Sequence, residues 1–158
     1  MTQTDRPALD VELLNERGGG WNRVMGLRYV RASGDEVVAE LTVGPEHTQG
    51  YGIVHGGVHA GLIEATCSAG AALWALGEGR PVVGLENSTS FLRAVREGRL
   101  TCTAVPLTRG RRSQVWEARV TDEAGRLVST GRVRLLCLEP TAEVQGEALQ
   151  LGGKPSAG

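Results

Sequence analysis

One carboxylate stands alone in the middle of this chain. Between Ile53 and Leu76 the only formally charged side chain is Glu64. Burying an ionised carboxylate without a partner is costly, so a glutamate in such surroundings has either a partner or a job. The partner would be a structural hydrogen bond or an arginine from a neighbouring element. The job would be that of general base or nucleophile, sharpened by loss of water. Ser68 follows four residues later, on the same face of a helix. Its hydroxyl can orient Glu64 or hold a water there, or bond back to the Glu64 carbonyl.

Upstream stand His55, Gly56 and Gly57. If a helix begins there, its first-turn amides have no intrahelical acceptor and carry the positive end of the dipole. A glycine lets a carbonyl approach such amides closely, and those are the requirements of an oxyanion hole. The plainer alternative is a tight loop-to-helix turn, with the His55 ring as its cap. His55 and His59 are spaced i, i+4, which with Glu64 raises a metal reading. The zinc-protease helix needs a glutamate directly after its first histidine, and Gly56 stands there. No metal is therefore expected. Cys67 has no identifiable base and reads as a small filler. Arg109, Arg111 and Arg112 crowd a turn before Ser113. Solvated turn charge is their simplest account.

Something must hold these groups in place. From Gly57 to Leu76 nothing breaks a helix: there is no proline, and Gly61 and Gly70 are single. Such a helix is apolar on every face and spans roughly 30 Å, which predicts a buried central element. Its glycines, histidines and central glutamate fit lipid poorly, so a membrane span is not expected. Its many alanines and glycines suit a helix that a sheet approaches closely.

Strand signals surround it. Val37, Ala39, Leu41 and Val43 alternate with Val38, Glu40 and Thr42. Met25 to Ala32 reads as another strand. After the loop at Gly77 to Pro81 come four more: Val82 to Val95, Arg99 to Leu107, Ser113 to Asp122 and Arg126 to Leu138. Short turns between them predict an antiparallel meander. The expected layout is residues 1–24 as an N-terminal extension with one short helix, 25–139 as the domain, and 140–158 as a disordered tail. One long helix within five to six antiparallel strands is an α+β architecture.

The chain has 158 residues, 41% of them hydrophobic, enough for one domain with a real core. A net charge of -1 argues against nucleic acid as a partner. Three cysteines, widely spaced and without a CxxC pair, predict a reducing compartment. The opening residues lack the pattern of a signal peptide, so a cytoplasmic location is expected.

Gln49, His55, Gly56, Gly57, Glu64 and Ser68 form the pattern Q-x5-H-G-G-x7-E-x3-S. That pattern resembles the hotdog-fold acyl-CoA thioesterases, the superfamily of 4-hydroxybenzoyl-CoA and PaaI-like phenylacetate-pathway enzymes, and in particular its glutamate-bearing branch. Phe91 to Gly98 and Arg109 to Arg112 also look like that family, and the likeness runs from about Leu27 to Leu138. The resemblance implies a sheet wrapped around the helix and hydrolysis of an aromatic or medium-sized acyl-CoA without a cofactor. It implies Glu64 as nucleophile or base, with the Gly56 amide, Gln49 and His55 at the thioester carbonyl and Ser68 beside Glu64. Gly57, Arg109, Arg111, Arg112 and Ser113 would contact substrate or coenzyme A. It further implies a homodimer, commonly a dimer of dimers, with sites shared between protomers. The rivals are a hotdog dehydratase or hydratase and a non-catalytic acyl-CoA-binding or regulatory protein. Glu64 with Gln49 favours hydrolysis over the first, and binding alone needs no buried carboxylate.

Overall fold

The computed structural model describes residues 10–149. Two short helices open it, α1 (Val11–Arg17) and α2 (Gly20–Val24). The second was unforeseen, because the glycine run that stops α1 also starts α2. Then come β1 (Arg28–Ala32), β2 (Val37–Thr42), the long helix α3 (Gly56–Leu76), β3 (Val82–Phe91), β4 (Arg99–Arg109), β5 (Ser113–Thr121) and β6 (Leu127–Cys137). The first strand starts later than expected because Met25 caps α2.

All six strands form one antiparallel sheet in the order β1-β2-β4-β5-β6-β3. Only β4, β5 and β6 make the simple meander the turns predict. β3 pairs with β6 at the far edge instead of with β4, which lies beside β2. The chain from Leu92 to Gly98 carries it back across the sheet, pinned where the Val54 amide bonds the Val95 carbonyl at 2.8 Å.

The sheet curves around α3, and alternation sets its inner face. Leu100, Cys102 and Ala104 of β4, and Gln114, Trp116, Ala118 and Val120 of β5, are buried. In β6 a bulge near Val120 puts both Val128 and Ser129 inside. The glycines of α3 admit aromatic rings: Trp116 packs on Gly70, and Trp21 of α2 packs on Gly61. Asn15 of α1 bonds both the amide and the carbonyl of Tyr29, seating the N-terminal helices on β1. Burial pushes the Tyr29 hydroxyl up to about 12.

Two further expectations need correction. α3 is not enclosed on every face: Ala60, Glu64 and Ser68 are half-buried along one stripe and Leu76 is exposed. That stripe faces β3, a strand with one neighbour only. The tail expected to be disordered forms a hairpin in its described part, β7 (Glu143–Val144) with β8 (Glu147–Ala148). Gln145 and Gly146 both have positive φ, the backbone of a tight two-residue turn. Residues 150–158 of that tail lie outside the described residues. Among the described residues no helix is long and apolar enough to cross a membrane.

Candidate active site

The loop before α3 folds as a small hairpin that delivers Gln49 to the helix start. Thr48 bridges Val54, the Gln49 amide bonds the Ile53 carbonyl at 2.9 Å, and Gly52 turns the chain with φ 72. The Gln49 side-chain oxygen accepts from the Tyr51 amide. Buried His47 clamps this loop: its Nδ1 accepts from the Gly44 amide at 2.7 Å, and its Nε2 donates to the Met25 carbonyl at 2.8 Å.

His55 is the N-cap of α3, and its Nδ1 accepts from the Gly57 amide at 2.8 Å. The capping alternative is therefore realised. It also fixes the tautomer, leaving the Nε2 proton on the exposed ring free to donate. Gly57 is thus occupied by its own cap, whereas no described side chain caps the Gly56 amide. Beside it opens a cavity of about 360 Å³ lined by Gln49, Val54, Gly56, His59 and Phe91 among others. The Phe91 ring lies on Gly56 and stands 5.9 Å from the His59 ring, tilted by 37°.

His59 is buried at 3% exposure, bonded through Nδ1 to the Ser129 hydroxyl at 3.0 Å. Burial pulls its pKa down, so it stays neutral. Sequence reasoning placed His59 only in a metal set. The bulge that brings Ser129 inward gave it another partner, and no local pattern announces that bulge. Among the described residues no group of three or more His, Cys, Asp or Glu side chains is placed to hold a metal.

Glu64 lies two turns beyond Gly56 and does not line that cavity. Ser68 donates to Glu64 Oε1 at 3.3 Å, the side-chain alternative over the backbone one. Asn87 of β3, unflagged by the sequence, donates to Glu64 Oε2 at 2.9 Å. Gly84 of β3 makes room for the carboxylate, since a Cβ there would sit 2.6 Å from Oε1. β3 thus runs antiparallel along the helix stripe, with Gly84 at Glu64, Asn87 at Ala60 and Phe91 at Gly56. Cys67 is buried behind this stripe, and desolvation pushes its thiol far up, away from nucleophilic use.

The arginine cluster separates. Arg109 is half-buried, bonds the Gly34 carbonyl and Asp35, and stacks 3.8 Å over the Trp74 ring. It ties β4 to the β1–β2 turn and to α3, so its guanidinium is engaged within the fold. Arg111, Arg112 and Ser113 are exposed on the hairpin tip. Arg111 and Arg112 lie near Glu139, whose carboxyl is held below the usual range chiefly by the Arg80 hydrogen bond, with the two arginines adding to it.

Residues 51–129 match the family model of the thioesterase superfamily. A Mycobacterium tuberculosis protein carried as a candidate esterase is 43% identical over 117 residues, 73% of this chain and 84% of its own. Its solved structure superposes with a TM-score of 0.75, covering 77% of this chain and 98% of that one. The 1,4-dihydroxy-2-naphthoyl-CoA hydrolase of Escherichia coli is 35% identical over 127 residues, 79% of this chain and 92% of its own. A solved thioesterase of Haemophilus influenzae superposes at 0.80 with 30% identity, over 87% of this chain and 96% of that one. On this sequence match and this shared architecture, the chain belongs to the thioesterase superfamily and is a hotdog-fold thioester hydrolase.

Proposed function

We propose that the protein hydrolyses the thioester of an aromatic or medium-sized acyl-CoA to the free acid and coenzyme A, using no cofactor. The observation that carries this reading is Glu64: a half-buried carboxylate with a donor on each oxygen, on a helix whose first residue, Gly56, lines a cavity and has no described side-chain cap. Gly56 donates to the thioester oxygen, with Gln49 and the His55 Nε2 proton near it. As general base, Glu64 takes a proton from water while that oxygen attacks the carbonyl carbon. As nucleophile, it attacks the carbonyl carbon itself and forms an acyl anhydride that water then opens. In both, the C–S bond breaks as the first tetrahedral intermediate collapses, and coenzyme A leaves as its thiolate. The aromatic acyl group is supported by the Phe91 ring at the cavity and by the name of the Escherichia coli relative. Arg111, Arg112 and Ser113 are the exposed groups for the coenzyme's phosphates.

The active unit we propose is a dimer, with Gln49, His55 and Gly56 of one protomer facing Glu64 and Ser68 of its partner. Two turns of helix separate Gly56 from Glu64, about 12 Å along the axis, so one carbonyl does not reach both in a single chain. Exposed Leu85 and Phe91 of the edge strand β3, with Leu92 just after it, are apolar surface for a second copy. Buried, free Cys67, Cys102 and Cys137 suit the cytoplasm.

The test is release of thiol from benzoyl-, phenylacetyl-, hexanoyl- and acetyl-CoA, followed with a disulfide dye. Glu64→Gln is expected to lower kcat at least about a hundredfold while the fold and substrate binding survive. Turnover within a few-fold of the parent would retire Glu64. Binding of every acyl-CoA without thiol release would leave an acyl-CoA-binding module.

A further inference from the structure

We infer that Asn87 is a positioning residue for the Glu64 carboxylate and that Thr89 sets the sense of the Asn87 amide. The inference rests on the reading of Glu64 as the reacting carboxylate.

Asn87 sits in the middle of β3 and is exposed, so burial does not dictate its conformation. Hydrogen bonds do. Its amide nitrogen has two protons, and each has an acceptor: the Ala60 carbonyl at 3.0 Å and Glu64 Oε2 at 2.9 Å. Its amide oxygen accepts the Thr89 hydroxyl at 2.6 Å. A flipped amide would turn its oxygen toward two acceptors and keep at most the Thr89 contact. The observed sense therefore aims a donor, never an acceptor, at the carboxylate.

The Ala60 carbonyl lies inside α3 and already has the helix ladder as a partner. The Asn87 bond to it rescues no orphaned group. What that bond does is hold the amide while its second proton meets Glu64. A glutamate side chain has three torsions, and Ser68 reaches its other oxygen only at 3.3 Å from the same helix. Asn87 is the donor from outside the helix, and at 2.9 Å the closer of the two. With Gly84 leaving space beside Oε1, the two donors bracket the carboxylate from the β3 and Ser68 sides. An ionised carboxylate offers about four acceptor directions, so lone pairs remain for a water or a carbonyl carbon. A hydrogen bond to a charged group is strong enough to select one arrangement of the chain.

The experiment compares Asn87→Ala, Asn87→Asp, Thr89→Val, Glu64→Gln and the double variant Glu64→Gln/Asn87→Ala in the full chain. Each is assayed with the fastest substrate of the panel above, beside a melting curve. Asn87→Ala is expected to lower kcat about tenfold to a hundredfold, with KM within about twofold of the parent, because the carboxylate loses its aim and not its substrate. Asn87→Asp is nearly isosteric and sets a second carboxylate against the first. It should lower kcat as well and move the acid limb of the kcat/KM profile to higher pH. Thr89→Val should cost less, about a few-fold, since the amide is freed to turn but not removed. In the Glu64→Gln background, Asn87→Ala should change the residual rate little.

Parent-like kcat in Asn87→Ala and Asn87→Asp, with Glu64→Gln inactive, overturns the inference and leaves the reading of Glu64 standing. An active Glu64→Gln removes that reading, and the inference with it. Equal losses from Asn87→Ala with and without Glu64, or a collapse of the melting temperature in all three single variants at Asn87 and Thr89, would make Asn87 a strand-to-helix tie and nothing more.

Discussion

The Phe91 ring lies against Gly56 so closely that a Cβ on that glycine would sit 2.7 Å from the ring's Cζ. Phe91 is 58% exposed, so its ring can move aside. Gly56→Ala is therefore expected to fold with its melting temperature nearly unchanged. The added methyl points into the mouth of the cavity, beside the amide proposed to polarise the carbonyl. A loss of about tenfold or more in kcat/KM is expected from the displaced substrate. Turnover assays beside a melting curve check it, and unchanged turnover would mean that no reacting group approaches this amide.

The proposed sharing of sites between two protomers makes a prediction about mixed chains. Gln49→Ala and Glu64→Gln are each expected to be nearly inactive alone. Unfolded and refolded together in equal amounts, about half of the dimers pair the two variants, and each mixed dimer holds one intact site. Activity should return to roughly a quarter of the parent's. If differently tagged chains prove that mixed dimers form and no activity returns, each site belongs to a single chain.

The two glycines of α3 that meet indole rings should differ in cost. Trp116 is fully buried, its Nε1 donating to Gln114 at 2.9 Å, so it cannot give way to a methyl on Gly70. Overpacking of this kind costs about 1–3 kcal/mol, or about 3–10 °C of melting temperature in a domain of this size. Trp21 is 41% exposed on a short surface helix and can swing out from Gly61. Gly61→Ala should shift the melting temperature by clearly less than Gly70→Ala, and equal shifts would show that Trp21 is as fixed as Trp116.

Buried His59 sets a slope in stability with pH. Desolvation holds its pKa in the folded chain below the ordinary 6.5. As pH falls through about 6.5, the unfolded chain takes up the proton first, so the folded state loses stability toward acid and regains it toward neutral pH. Asp122 and Glu139 are held below their ordinary carboxyl values, so their loss of stability begins only in more acidic solution. Between about pH 7.5 and 5.5 the melting temperature of the parent should drop, and His59→Gln should flatten that drop. The same drop in both proteins would assign the slope to other groups.

The sequence by itself determined the central helix, the six sheet strands and most of their inner faces, though not α2 or the β7–β8 hairpin. An uninterrupted run of small apolar residues from Gly57 to Leu76 has one regular way to satisfy its backbone, and the structure starts that helix at Gly56. Alternation in Val37 to Val43, and in Leu127, Val133, Leu135 and Cys137 of the last strand, needs no partner to be read: Val133, Leu135 and Cys137 point inward, while Leu127, before the bulge, is only half-buried. Glu64 with Ser68, and His55 at the helix start, were legible because their spacing is local to one helix. Only the tertiary structure decided the rest. β3 crosses to the far edge of the sheet, and that single choice brings Gly84, Asn87 and Phe91 along Glu64 and Gly56. Arg109 finds Asp35 and Trp74, residues distant in the chain, and a bulge in β6 gives His59 its serine. Contacts between residues far apart in sequence follow from strand order and register, and a pattern read along one segment carries no information about which strand will lie beside it.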